Sequence, residues 1–293
     1  MNIPKFVVVG AHKAGTSSFH TYLNQHPEIY LPAKKGLDLL SRRKFKELHE
    51  AGEYLAQFDG AKPDQVLGEV SSVYLHQGQG FIQRLNSLFP DIKIVMILRN
   101  PIERAYSHAL WDSRHHAYTQ AEIQEFDRYF ERLIMTSQKF LLPGLYYTHL
   151  QNYLSHFNRD QIKLFLYDDL TQNSEAVFTE LFNFVGVNPE FRPDLSSRLH
   201  VGAVQVSNPY SILLKKAESM RSSIRLLIPK AIRQSIRDIL YAKSYIPKPA
   251  MSDHLRGELI DYFHDEVINL EQLTGLEVSH WLKIPDRNSV IRD

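Results

Sequence analysis

The stretch Phe6–Ser18 constrains the fold of this 293-residue chain more than any other. A valine-rich apolar run leads into a turn bounded by Gly10 and Gly15, and apolar residues at helical spacing follow. This order predicts a strand, a phosphate-binding loop and a helix. Backbone N–H groups at such a helix start, together with the helix dipole, favour a bound anion. Taken alone, the stretch is also compatible with a tight strand-to-helix turn that binds nothing.

The position of the lysine in this loop separates two functions. Gly10 and Gly15 have the spacing of a P-loop, but Thr16 stands where that loop has its lysine, and Lys13 lies two residues before the second glycine. A nucleotide kinase needs the lysine beside the β- and γ-phosphates and a hydroxyl on a metal ion. Lys13 is instead expected inside the turn, facing a leaving group.

Composition limits the class of protein. The 43% hydrophobic content is ample for a sizeable core, and the lack of cysteine excludes disulfides, thiolate zinc sites and cysteine nucleophiles. The sequence has no apolar run long enough to span a membrane and enters its first strand at once, so we expect a cytoplasmic enzyme. Residues 209–250 carry nine Lys or Arg against two acids. This basic segment is a helical pair with a solvated face, an anionic acceptor site or a membrane-surface contact.

Two further strand ends carry candidate site residues. The stretch Val66–Leu75 begins as a strand and bears Glu69 near its end, where a carboxylate suits a general base, a helix cap or a structural ion pair. The apolar run Ile92–Leu98 is typical of a central parallel strand, and Arg99 follows it where a P-loop NTPase would have a magnesium-binding Asp. With Ser107 on the next helix, Arg99 predicts a second anion site without a metal.

Strands alternate with helices along the chain, which predicts right-handed crossovers and a parallel sheet. We therefore expect an α/β, P-loop-type three-layer fold with a central parallel sheet flanked by helices and a helical C-terminal flap. Residues 1–293 are interpreted as one domain with a basic helical insertion or flap at about 198–250. The finer predictions are a strand at Ile162–Tyr167 closed by Asp168–Leu170, a cap at Asn173 or Ser174, a long helix from Ser252 to Leu273 ended by Gly275, and packing of Trp281-Leu282.

The sequence resembles the sulfotransferases that use 3′-phosphoadenosine 5′-phosphosulfate (PAPS). It is most similar to the carbohydrate type related to the heparan sulfate sulfotransferases and their bacterial relatives. The specific signal is the combination of Lys13–Ser17 with Arg99 and Ser107. The likeness extends to Val8-Val9-Gly10, His26-Pro27-Glu28, the run Leu98–His108 and the final Trp281-Leu282.

This resemblance implies roles for the candidate residues. The loop of Lys13, Ala14, Gly15, Thr16, Ser17 and Ser18 would hold the 5′-phosphosulfate. Arg99 and Ser107 would bind the 3′-phosphate, and we include Tyr146 among the nucleotide-binding candidates. Glu69 would take the proton of the acceptor, while Lys13 would stabilise charge on the bridging oxygen. A sulfuryl group bears less charge than a γ-phosphoryl group, so no metal is expected.

Two segments depart from the family pattern. Where the family often has Lys-Glu and aromatic residues, this chain has Lys35–Leu40, with Gly36 in the place of the acid and leucines for the aromatics. The cation Lys35, like Lys34, either meets an anionic substrate or belongs to a solvated face. The loop 198–210 lacks a basic run that matches the PAPS-covering loop of the family.

The predicted acceptor is a hydroxyl or amine of a small metabolite, a lipid-like alcohol or a sugar, and no nucleic-acid partner is expected. Peripheral membrane contact through residues 209–250 stays open. Two alternatives compete with sulfuryl transfer. One is a P-loop nucleotide or small-molecule kinase, and the other is a non-catalytic nucleotide-binding or membrane-associated module.

Overall fold

Five parallel strands form the sheet that carries the loop. The computed structural model describes residues 2–42, 45, 47–113, 125–195, 203–205, 209–210, 212–213, 239–240, 245–247 and 249–284. The sheet has the order β2-β3-β1-β4-β5, and every neighbouring pair in it is parallel. The predicted α/β fold with a central parallel sheet is confirmed. Its strands are β1 (Phe6–Gly10), β2 (Ile29–Tyr30), β3 (Val66–Val70), β4 (Lys93–Leu98) and β5 (Ile162–Leu166).

Strand β1 lies at the centre of this sheet. It pairs with β3 on one side and with β4 on the other, and all five of its residues are buried. The apolar runs of β1 and β4 fit a parallel sheet covered on both faces, because such strands need no polar face. The C-terminal ends of these strands therefore carry Ala11, Ser71 and Arg99 to the same edge of the sheet.

Helices follow or flank most of the strands. Their bounds are α1 (Thr16–Leu23), α2 (Leu39–Arg42), α3 (Gly52–Leu55), α4 (Gln79–Leu88), α5 (Pro101–Asp112), α6 (Phe126–Met135), α7 (Gln138–Leu141), α8 (Tyr146–Leu154), α9 (Tyr167–Gln172), α10 (Ser174–Val185) and α11 (Asp253–Thr274). Short 3₁₀ turns occupy Leu48–Ala51, Ala56–Phe58, Tyr74–His76, Leu142–Gly144, Arg159–Gln161 and Ser279–Leu282.

The boundary after β5 differs from the prediction. Tyr167 begins helix α9 rather than ending the strand, and Asp168–Leu170 is helical. Two aspartates in the first turn of α9 stabilise this helix, because acidic side chains complement the positive end of the helix dipole. The predicted cap is confirmed at Asn173, whose Oδ1 accepts from the backbone N–H of Ala176 at 3.4 Å.

The C-terminal helix agrees with the prediction within a residue at each end. It spans Asp253–Thr274, and Gly275 follows it with a positive φ of 73°, the left-handed conformation common after a helix. The Trp281 side chain is 1% exposed, as expected for a residue that packs down. Among the described residues, no helix combines the length and the apolar character needed to cross a bilayer.

The chain divides into two compact units. The first consists of Met1–Arg104, Leu141–Leu199 and Leu259–Asp293 and contains the five-stranded sheet. The second consists of Ala105–Phe140 and His200–Glu258 and contains the antiparallel pair β6 (Ala203–Gln205) and β7 (Tyr245–Pro247). Most of the predicted basic flap at 198–250 lies outside the described residues. The interpretation of residues 1–293 as one domain stays a prediction.

Candidate sulfuryl-donor site

The loop between β1 and α1 has the conformation that a ligand-binding turn needs. Gly15 has a φ of 79° and Lys13 a φ of 68°, a left-handed conformation that is uncommon for a residue with a side chain. The backbone N–H of Ala11 donates to the Ile97 carbonyl oxygen at 2.8 Å, which ties the loop to β4. The loop is therefore held by the sheet and not only by its own turn.

A glycine is required at position 15 for two reasons. Its positive φ disfavours any side chain, and a Cβ there would lie 3.0 Å from the ring of Tyr167. Directly after it, α1 begins at Thr16, so the first backbone N–H groups of this eight-residue helix have no partner within the helix. These groups and the helix dipole make the start of α1 a suitable place for an anion.

Lys35 joins this helix start from a different part of the chain. Its Nζ donates to Thr16 Oγ1 at 2.8 Å and to Ser17 Oγ at 2.9 Å. Burial lowers the pKa of Lys35 to about 8, and the charge of Asp38 opposes that shift. Lys35 thus contacts the candidate ligand loop, and its contact with an anionic substrate stays a prediction.

Arg99, which the sequence assigned to a second anion site, lies against the loop. Its Nη1 donates to the Lys13 carbonyl oxygen at 3.0 Å, and its guanidinium carbon lies 4.7 Å from the centre of the Tyr167 ring. Tyr146 is 2% exposed, and its hydroxyl donates to the Arg99 carbonyl oxygen at 2.9 Å. Tyr146 thus holds the backbone of Arg99. Ser107 lies on α5 but in the second compact unit, so its pairing with Arg99 stays a prediction.

Glu69 lies on β3 and is enclosed by aromatic residues. The carboxylate is 1% exposed, and its two oxygens accept hydrogen bonds from the hydroxyls of Tyr54 at 2.8 Å and Tyr74 at 2.9 Å. The backbone N–H of Leu37 also bonds this carboxylate. Burial raises the pKa of Glu69 to about 7 against the opposing effect of the tyrosine hydrogen bonds. Glu69 is thus a carboxylate that titrates near neutrality and is closed off from solvent.

The lowered pKa of His12 reflects, besides burial, a positive electrostatic potential around it. Burial lowers the pKa of His12 to about 3, and the charges of Lys13, Arg104 and Lys35 lower it further in the same direction. Arg104 is fully buried on α5, where loss of solvation lowers its pKa to about 10. His12 is therefore a neutral imidazole at physiological pH in an electropositive environment, which favours an anionic ligand.

Sequence reasoning missed several members of this neighbourhood. Tyr54 and Tyr74 were not singled out, and no spacing links them to Glu69. Arg104 resembles a surface residue of a helix in the sequence, yet it is buried. Lys35 was considered as a cation that could meet an anionic substrate, and it lies in the segment where the chain departs from the family pattern.

A separate group of potential metal ligands involves α6 and α11. Glu131, His254 and Glu258 have ligand atoms within 4.8 Å of one another, and His254 Nδ1 lies 3.5 Å from Glu131 Oε2. All three residues belong to the second compact unit, whereas the loop belongs to the first. No metal site was predicted from the sequence, and these three residues were not singled out.

The central parallel sheet with flanking helices defines an α/β protein, and the left-handed loop before α1 with its neighbouring cations is its candidate anion site. The chain belongs to the sulfotransferase family, because the family model for the sulfotransferase domain matches residues 4–201. It is therefore an enzyme of a family whose members generally use PAPS. The recognition made from the sequence is confirmed.

Two kinds of relatives support this assignment. The chain is 27% identical over 206 residues to bifunctional heparan sulfate N-deacetylase/N-sulfotransferase 4 of Mus musculus. It is 26% identical over 203 residues to bifunctional heparan sulfate N-deacetylase/N-sulfotransferase 2 of Homo sapiens. These matches cover 65% and 64% of this chain but 23% and 22% of the relatives, so the chain spans less than a quarter of their length. A crystal structure of a sulfotransferase from Alicyclobacillus acidocaldarius superposes with a TM-score of 0.64 at 27% identity, covering 97% of this chain and 100% of that one.

Proposed function

We propose that this enzyme transfers a sulfuryl group from PAPS to a hydroxyl or amine of a small metabolite, a lipid-like alcohol or a sugar. The observation that carries the proposal is that Lys35 and Arg99 both donate hydrogen bonds to the segment Lys13–Ser17, which itself contains the cation Lys13. Such a cluster at a helix N-terminus matches a ligand with a sulfated phosphate. PAPS supplies an activated sulfuryl group joined to the 5′-phosphate of its nucleotide.

The loop residues divide the binding task. Lys13–Ser18 would hold the 5′-phosphosulfate through backbone N–H groups and the hydroxyls of Thr16 and Ser17, to which Lys35 already donates. Arg99 with Ser107 would bind the 3′-phosphate, because a guanidinium and a hydroxyl can both donate to it. Tyr146 would act through its hydrogen bond to the Arg99 backbone rather than on the nucleotide itself.

Lys13 would stabilise the charge that develops on the bridging oxygen between phosphate and sulfate. Its backbone belongs to the loop itself and is left-handed, and a cation that is placed before the reaction needs little rearrangement as charge builds up. Lys35 adds a second cation at the first turn of α1. Two ammonium groups and the helix dipole can together stabilise the leaving phosphate, and a reaction that needs no metal ion stays a prediction.

The role of Glu69 as the general base remains a prediction. Its raised pKa of about 7 suits a base at neutral pH. Its enclosure opposes that role, because both oxygens accept from tyrosine hydroxyls and the side chain is 1% exposed. An acceptor can reach this carboxylate only if Tyr54 or Tyr74 moves away.

Features of the relatives and of this chain bear on the acceptor. The named relatives are N-sulfotransferases of heparan sulfate, so the amine of an amino sugar is a candidate acceptor. The departure at Lys35–Leu40, where leucines replace aromatics, favours an acceptor smaller or less polar than a polysaccharide. A cytoplasmic location and membrane contact through residues 209–250 remain predictions.

Titration calorimetry with adenosine 3′,5′-bisphosphate (PAP) tests donor recognition. PAP should bind at micromolar concentrations, and adenosine 5′-monophosphate should bind more weakly because it lacks the 3′-phosphate. Ser107→Ala should weaken PAP binding and leave binding of the monophosphate unchanged, since the hydroxyl is assigned to the 3′-phosphate alone. Failure of PAP to bind would contradict the proposal.

Turnover is tested with PAPS and a panel of glucosamine, p-nitrophenol and octanol, with PAP release as the readout. PAP release that depends on an acceptor and persists in a metal chelator is expected. Magnesium-dependent hydrolysis of ATP, without PAP release from PAPS, would instead favour the kinase alternative. Nucleotide binding with no turnover on any acceptor would favour a non-catalytic module.

A further inference from the structure

We propose that Asp38 takes the proton from the sulfuryl acceptor, and that Glu69 positions the segment that carries Asp38. The inference rests on the proposed function, because it names the base for that reaction. Proton transfer is thereby assigned to the carboxylate of Asp38, and the enclosed carboxylate of Glu69 has a positioning role.

Glu69 supports the segment by bonding its backbone. The Glu69 carboxylate bonds the backbone N–H of Leu37, and Tyr74, which donates to Glu69, bonds the backbone of Leu40. The Gly36 N–H donates to the Val70 carbonyl oxygen at 3.0 Å. These bonds fix the segment 36–40 along the end of β3, beside the edge where the loop lies.

The same segment reaches the donor loop at its other end. Lys35 immediately precedes it and donates to the hydroxyls of Thr16 and Ser17. The segment therefore runs from the start of α1 to Tyr54 and Tyr74, which form a cage around Glu69. A group on this segment that faced the loop would lie beside a molecule positioned against a sulfuryl group there.

Asp38 is the carboxylate on this segment. It is half-buried, and its charge acts on Lys35, Glu69 and Tyr74, so it lies among the groups that join the loop to the cage. Its φ of 55° is left-handed, a conformation that Asp adopts more readily than most residues. This backbone directs its Oδ1 to within 3.8 Å of the place where a Cβ of residue 36 would be.

Gly36 leaves that space to the carboxylate. Position 36 has no side chain and a φ of 66°, so nothing projects from it between Asp38 and the neighbouring Lys35. The Asp38 backbone oxygen accepts from the N–H and the hydroxyl of Ser41, at 3.2 and 2.9 Å, which fixes the backbone from which the carboxylate extends. The carboxylate is thus placed by its backbone and by neighbouring charge, as a base must be before the acceptor arrives.

The proposed step forms one bond to sulfur and breaks another. The acceptor oxygen or nitrogen bonds to sulfur while the bond between sulfur and the bridging phosphate oxygen breaks. The electron pair of the broken bond stays on that oxygen, beside Lys13, and the acceptor proton moves to a carboxylate oxygen of Asp38. Asp38 then returns the proton to solvent, so the sulfated acceptor and PAP are the products.

Two variants keep the backbone and remove the carboxylate. Asn and Gly both accept a left-handed φ, so Asp38→Asn and Asp38→Gly should fold. We expect PAP release to fall about 100-fold or more in both, the usual size of a general-base effect. PAP should bind each variant at least as tightly as wild type, because a negative charge beside Lys35 has been removed. Formate should partly restore turnover to Asp38→Gly, since it can fill the vacated space as a base.

Matched controls distinguish chemistry from folding. Asp91→Asn removes an exposed carboxylate elsewhere and should change nothing. Glu69→Gln should lower the melting temperature while turnover of the folded protein stays within about tenfold of wild type, well short of a general-base effect. The readout is PAP release from PAPS, with water or with whichever acceptor of the panel supports wild-type turnover.

Several outcomes overturn the proposal. An Asp38→Asn protein that retains more than a third of wild-type turnover would contradict it. A loss of turnover in this variant that is matched by an equal loss of PAP affinity would also contradict it, because that result indicates a structural role. A folded Glu69→Gln protein that loses turnover as completely as Asp38→Asn would return the base to Glu69. If wild type fails to bind PAP at all, the proposed function itself fails, which the calorimetry reveals before any variant is assayed.

Discussion

The chemistry of Lys35 is changed by its place in the site. Its ammonium group is held against two hydroxyls of α1, and burial brings its pKa to about 8. It is therefore cationic at neutral pH but loses its proton more readily than an exposed lysine. A residue of this kind contributes to anion binding only over the pH range in which it stays charged.

Replacement of Lys35 tests this contribution. Lys35→Ala should weaken PAP binding about 10- to 100-fold, since a charge-assisted hydrogen bond contributes about 1.5–3 kcal/mol. Wild-type affinity should fall as the pH rises through about 8, where Lys35 loses its charge. Lys35→Arg should remove that fall, because arginine stays charged. The neighbouring, exposed Lys34 offers the control, and an effect of Lys34→Ala as large as that of Lys35→Ala would contradict the assignment.

Glu69 couples the stability of the fold to pH. Its pKa rises from 4.5 to about 7 on folding, so between these values the folded state binds more protons than the unfolded state. The free energy of unfolding therefore falls as the pH rises through this window and is independent of this group above it. Glu69→Gln should flatten that part of the curve, measured by urea unfolding at a series of pH values. An unchanged slope in the variant would show that another group titrates there.

Some of these residue roles could be read from the sequence and others could not. Lys13 and Arg99 were assigned to two anion sites because each follows a predicted strand, and the carboxyl ends of neighbouring parallel strands meet at one edge. The cage around Glu69 could not be predicted, since Tyr54 gives the same apolar pattern whether its hydroxyl is bonded or not. The identity of the general base is the hardest of these roles to predict. A carboxylate at a strand end has the same sequence pattern whether it is exposed or enclosed.

At the scale of elements, the turn between β1 and α1 depends on its neighbour α9. The ring of Tyr167, the first residue of α9, packs against Gly15 and under the Arg99 guanidinium. One aromatic side chain thus contacts both halves of the predicted donor site. The sequence predicted the loop but assigned Tyr167 to the end of a strand, because its aromatic character suits a strand and the helix start is set by the two aspartates that follow.

Gly15→Ala tests whether this contact shapes the loop. The change should cost about 1–2 kcal/mol for the left-handed backbone, with a further loss because the Cβ would press on Tyr167 at 3.0 Å. Displacement of that ring should also shift Arg99, so PAP affinity should fall. Gly186→Ala is the matched control, since Gly186 has a φ of 87° and no atom within 4 Å of its Cβ position. Equal losses of stability in the two variants, or unchanged PAP affinity in Gly15→Ala, would contradict this account.

The alternation of strands and helices was enough to predict the sheet, but not the order of its strands. Strand β1 lies between β3 and β4, and β2 is outermost on one side. Which strands become neighbours depends on how the crossovers and side chains of different elements pack, and local periodicity carries little information about that. A contact such as that between Phe6 and Gly68 appears only in the folded molecule.

The pairing of β1 with β3 affects the whole first unit, because these two strands form the centre of its sheet. The site residues at the edge of the sheet depend on that centre. Gly68 pairs with Phe6, and a Cβ at position 68 would lie 2.1 Å from the Phe6 ring, which is itself 0% exposed. Gly68→Ala should therefore lower the free energy of unfolding by about 1–3 kcal/mol, the usual cost of overpacking a core. Gly257→Ala, in α11 with nothing within 4 Å, should be neutral or stabilising by up to about 1 kcal/mol.

A double-mutant cycle identifies the Phe6 ring as the cause. Phe6→Leu removes the ring and leaves a smaller side chain at a buried position, so it should destabilise the protein by itself. In the Phe6→Leu background, Gly68→Ala should cost less than it does in wild type, because the added methyl group then has room. Urea unfolding of the four proteins gives this coupling energy, which should exceed about 0.5 kcal/mol for residues in contact. Additive losses would show that Gly68 is needed for its backbone alone and that the ring can move aside without cost.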